Sequence, residues 1–95
     1  MMKFLGLYLT EEGLKQMEMD ESKMPSEDFW KTQDCYIDLV EAESIDCVNK
    51  VFFGNVFNTI NMKSGDKFDV AYDADILAAL ILKAKMFPYV TLNAN

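Results

Sequence analysis

Carboxylates are the side chains here with the numbers and spacing to do chemistry. Of sixteen acids, twelve fall between Glu11 and Asp46, opposed only by Lys15, Lys23 and Lys31. That stretch nets −9, and the remaining residues net +2. Clustered carboxylates serve three kinds of chemistry: acid–base catalysis, ligation of hard cations, and attraction of a cationic partner.

The first two are poorly supported. Glu41 and Glu43 could exchange protons, but acid–base work needs a cleft that desolvates one of them. A 95-residue chain has little surface to spare for such a cleft. Asp66, Asp69, Asp73 and Asp75 invite a metal, yet they fail the calcium-loop pattern. Phe68 takes the second ligand place and no glycine follows. Cys35 and Cys47 lack an activating base, because the chain contains no histidine. It contains no arginine either, the usual bidentate clamp for phosphate. The expectation is a protein that is not an enzyme and holds no metal or cofactor.

The third use fits the charge map. Glu27, Asp28 and Asp34 flank Phe29 and Trp30, so that an aromatic anchor inside an acidic rim is one arrangement open to them, with Asp38, Glu41, Glu43 and Asp46 as further partner-binding candidates. Burial of this single tryptophan in the core is the other. A net charge of −7 disfavours direct contact with nucleic acid or an anionic membrane, since both are bound by cations. It favours a basic protein, and ordered carboxylates resemble a phosphate backbone to a nucleic-acid-binding surface. The same acids would also keep an apolar domain soluble.

The elements that must carry these residues can be read from pattern. Half the residues are hydrophobic, so the expected fold is a single small α+β domain over residues 1–95. Four to five antiparallel strands would pack on two to four helices. Residues 2–9 read as a strand. Thr10 caps a helix over 11–19, with Leu14 and Met17 facing inward and Gly13 weakening it. Residues 20–24 form a polar loop, and Ser26 begins a short helix carrying Phe29 and Trp30. Residues 35–40 are strand-like, although a helix over 26–43 fits nearly as well. Ser44 caps a short helix over 45–53 with Ile45, Val48 and Phe52 as its stripe, stopped at Gly54-Asn55.

The clearest strand pattern follows. Val56, Asn58, Ile60 and Met62 alternate, then Phe68, Val70 and Tyr72, on either side of a turn at Ser64-Gly65. Asp73 caps the strongest helix, over 74–87, with Asp75 in its first turn and Lys83 and Lys85 in its last. Its apolar residues run nearly all round, which implies burial on most sides. Ile76, Leu77, Leu80 and Ile81 are the expected self-association residues, giving a homodimer. Residues 89–92 read as a final strand.

In size and charge the chain resembles the small acidic inhibitors, anti-CRISPR proteins among them, that phages and mobile elements direct against nucleic-acid-binding host defences. The resemblance implies a stoichiometric inhibitor acting in the host cytoplasm. An immunity protein that neutralises a basic toxin, or a structural oligomerisation module, is the alternative. The N-terminal apolar run is too short for a signal peptide and lacks a small-residue cleavage site, so a cytoplasmic location is expected.

Overall fold

The computed structural model describes residues 1–19 and 26–87. The expected loop at 20–24 and strand at 89–92 lie outside the described residues. Five strands form one antiparallel sheet: β1 (Met2–Leu9), β2 (Trp30–Ile37), β3 (Ala42–Phe52), β4 (Asn55–Met62) and β5 (Lys67–Val70). Two α-helices accompany it, α1 (Glu11–Met19) and α2 (Ala74–Met86). Single 3-10 turns precede and follow β2, at Glu27–Phe29 and Leu39–Glu41.

The strand order is β2-β1-β5-β4-β3, which leaves β2 and β3 on opposite edges. Four residues, 38–41, nevertheless connect them. Register explains how. Ile37 pairs with Met2 at the start of β1, and Ala42 pairs with Met62 at the end of β4. These are diagonally opposite corners of the sheet. A strongly twisted sheet is saddle-shaped, so one pair of diagonal corners converges over one face and the other pair over the opposite face. The first pair is bridged by the 38–41 crossover. The second pair meets as Trp30 and Phe52, whose ring centroids lie 5.0 Å apart.

The main core follows from the first convergence. Phe4, Ile37, Ile60 and Val70 share one sheet face with Leu39 of the crossover and with Leu77, Ile81 and Ala84 of α2. Asp73 caps α2 as expected, accepting from the N–H groups of Asp75 (2.9 Å) and Ile76 (3.2 Å). The helix is not buried on most sides. Ile76, Leu82 and Met86 are exposed, because the sheet covers only the stripe of Leu77, Ile81 and Ala84.

Two further expectations need correction. Residues 45–53 are not a helix; 45–52 belong to β3 and Phe53 to the turn that follows. A register shift between Asp46 and Lys50 breaks the strand's alternation, and this put Ile45, Val48 and Phe52 at helix-like spacing. The glycine taken as a helix stop makes a two-residue hairpin turn instead. Phe53 and Gly54 both have positive φ, +51° and +75°, as a type I′ turn requires. Buried Asn58 holds the bulge by accepting from the Asn49 N–H (3.0 Å) and donating to the Tyr72 carbonyl (2.8 Å).

The second correction concerns α1. Thr10 caps it, accepting from the Gly13 N–H at 3.2 Å. Leu14 and Met17 do not face inward, however; both are exposed, and Gly13 is the buried position. A Cβ there would lie 2.9 Å from the Phe29 carbonyl oxygen. Gly13 therefore lets α1 approach the 27–29 turn closely, a contact closed by the Thr10 N–H donating to the same carbonyl (2.8 Å).

Candidate binding surface

β2 pairs with β1 alone and has no neighbour on its outer side among the described residues. The 27–29 turn extends that edge at its start, and Asp38 follows its end. The consequence is a linear array. Glu27 and Asp28 sit at one end, Asp34 lies mid-strand and Asp38 sits at the far end. The eight residues of β2 alone span about 26 Å at ~3.3 Å per residue. Four carboxylates, Glu27, Asp28, Asp34 and Asp38, thus share that edge with Lys31, the one cation of the stretch. Glu41, Glu43 and Asp46 are apart from them, at the end of the 38–41 crossover or on the opposite edge strand β3.

The acids differ in what else they do. The Glu27 carboxylate accepts from the Phe53 N–H (3.3 Å), which ties the 27–29 turn to the β3–β4 hairpin. Asp38 caps the crossover turn by accepting from the Val40 N–H (3.1 Å). Asp46 accepts from the Asn61 amide (3.1 Å), which also donates to the Ser44 hydroxyl. Asp28, Asp34, Glu41 and Glu43 are exposed, and their side chains make no hydrogen bond or ion pair among the described residues. These four are the carboxylates whose charge is least committed to the fold.

Trp30 is neither fully buried nor a free anchor. It is half-buried at the corner, stacked at a tilt on Phe52, with the Lys50 ammonium 5.5 Å from its ring. Lys50 also bonds the Asp69 carboxylate at 2.9 Å, the one salt bridge among the described residues. Asp69 accepts in turn from the buried Thr59 hydroxyl. Beside this corner the hairpin exposes Val51, Phe53 and Val56, so an apolar tip adjoins the acidic edge at Glu27. Sequence reasoning missed that tip because it read the segment as a helix.

Of the expected self-association residues, Leu77 and Ile81 are buried in the main core, Leu80 is half-buried and Ile76 is exposed. The thiols also differ. Burial, chiefly, raises the Cys35 pKa, as does the charge of Asp34, whereas a hydrogen bond from Tyr8 opposes the shift. Cys47 is exposed. Among the described residues no three side chains of metal-binding type cluster, and no helix is long and apolar enough to cross a membrane. Compared with protein-family models, with curated proteins and with solved structures, the chain matches none of them.

Proposed function

We propose that the protein is a non-enzymatic binding protein whose acidic β2 edge docks onto a basic, nucleic-acid-binding protein surface and occludes it stoichiometrically, as a phage-type anti-defence inhibitor would. One observation carries this: four carboxylates lie along a single exposed edge with one cation among them, and two of them, Asp28 and Asp34, make no hydrogen bond or ion pair among the described residues. A charged array of this kind attracts an opposite surface over about 8–10 Å at physiological ionic strength and accelerates encounter. Charges on an edge strand also discourage edge-to-edge aggregation, which is the role they would keep if no partner existed. The apolar hairpin tip supplies the desolvated contact that charge alone does not.

Retention experiments separate the two roles. Immobilised wild-type protein should hold basic nucleic-acid-binding proteins from a lysate at low salt, and added duplex DNA should release them. The double variant Asp28→Lys, Asp34→Lys should hold none while keeping its circular dichroism spectrum. Equal retention by both proteins, or retention that DNA does not compete, removes the proposal.

A further inference from the structure

The stripe of α2 that faces away from the sheet is apolar and uncovered among the described residues. Asp75, Ala79, Leu82 and Met86 fall within one narrow arc of the helix, flanked by Ile76 and Lys83. Leu82 is 61% exposed, Met86 62% and Ile76 52%. Exposure of this kind on successive turns is costly unless something covers it. The charges around it indicate what. Asp73 and Asp75 mark the first turn of α2, and Lys83 and Lys85 the last.

From this pattern we propose that α2 pairs with α2 of a second copy, antiparallel about a two-fold axis, with Ala79 near the centre of the contact. An antiparallel arrangement lays the acidic first turn of each helix beside the basic last turn of the other, twice per dimer. A parallel arrangement would bring like charges together. The small side chain of Ala79 lets the two helices approach closely where they cross. A shallow apolar groove of ≈ 380 Å³ between α2 and the start of β3, lined by Ile45, Ala78, Ile81 and Leu82 with Glu43 and Lys85 at its rim, extends the contact beyond one helix. Leu77 and Ile81 hold the helix to its own sheet, so the pairing leaves each core intact. An isologous interface of this kind is self-complementary, as a closed dimer requires. The pairing is independent of the acidic edge, which lies on β2.

Sedimentation equilibrium on the full chain at tens of micromolar tests it. The wild type should sediment at twice the chain mass. Leu82→Glu should raise the dissociation constant at least about tenfold with an unchanged circular dichroism spectrum, because it places a charge in the apolar seam. Asp75→Lys should weaken the dimer, and adding Lys83→Glu and Lys85→Glu to it should restore association. A monomeric wild type overturns the proposal. So does a Leu82→Glu variant that dimerises as well as the wild type, and failure of the charge swap to restore association overturns the antiparallel arrangement.

Discussion

The two faces of the sheet are closed by different means. One is closed by a helix: Leu77, Ile81 and Ala84 of α2 cover Phe4, Ile60 and Val70. The other carries no helix over its centre among the described residues, yet Leu7 is 4% exposed and Phe57 is fully buried. Their burial follows from twist. The Trp30 and Phe52 corners converge on that side, and Lys50 extends over the Trp30 ring toward Asp69. A small domain can therefore bury both faces of one sheet with a single well-packed helix, provided that the sheet coils far enough. The consequence for function is positional. The same coiling that brings Trp30 onto Phe52 leaves β2 as a long outer edge, where the acids are displayed.

Substitutions that treat the faces differently test this comparison. Phe57→Ala should cost about 3–5 kcal/mol in urea unfolding, as much as a large core deletion under a helix. Leu77→Ala should cost about 2–5 kcal/mol. If Phe57→Ala cost under ~1 kcal/mol, the corner-closed face would not be a second core. Asn58→Ala should cost about 1–3 kcal/mol, because the Asn49 N–H and the Tyr72 carbonyl each lose a partner. Asp69→Ala should cost about 1–2 kcal/mol, mainly through the buried Thr59 hydroxyl it orphans, since a partly exposed ion pair contributes little by itself.

A pH measurement sharpens the picture on the helix-covered side. Burial, first, and the Cys35 thiol, second, push the Tyr8 phenol from 10.0 up to about 12. A folded value above the unfolded one means that the neutral phenol stabilises the fold fully below pH 10. That contribution disappears as pH rises from 10 toward about 12. Phenolate absorbance should show a late step near pH 12 that Tyr8→Phe abolishes, and a titration of Tyr8 at pH 10 would contradict the packing around it. The smallest effect expected is kinetic: a disulfide reagent should modify exposed Cys47 well before Cys35, whose pKa is raised.

Much of the fold is legible in the sequence where local signals agree. β1 is an apolar run, the β4–β5 hairpin has alternation and turn residues, and α2 has caps at both ends, and all three stand where those signals place them. β3 was misread because its bulge resets the alternation, a tertiary accommodation fixed by Asn58 nine residues away from Asn49. The orientation of α1 was misread because Gly13 counts against a helix by propensity, whereas close approach to Phe29 is what the position requires. The acids themselves are visible in the sequence. Their alignment is not, because it depends on β2 being an edge, and edge status is a property of strand order. Glu43 and Asp46 show the limit: they follow Asp38 closely in sequence and lie on the other edge strand, β3.

Hydrogen exchange on the complex with a protein retained at low salt tests the central claim most directly. If the acidic edge is the docking surface, amides from the 27–29 turn through β2 to Asp38 gain protection on binding while those of α2 are unchanged. Protection confined to α2, with the β2 edge exchanging as it does in the free protein, would contradict it.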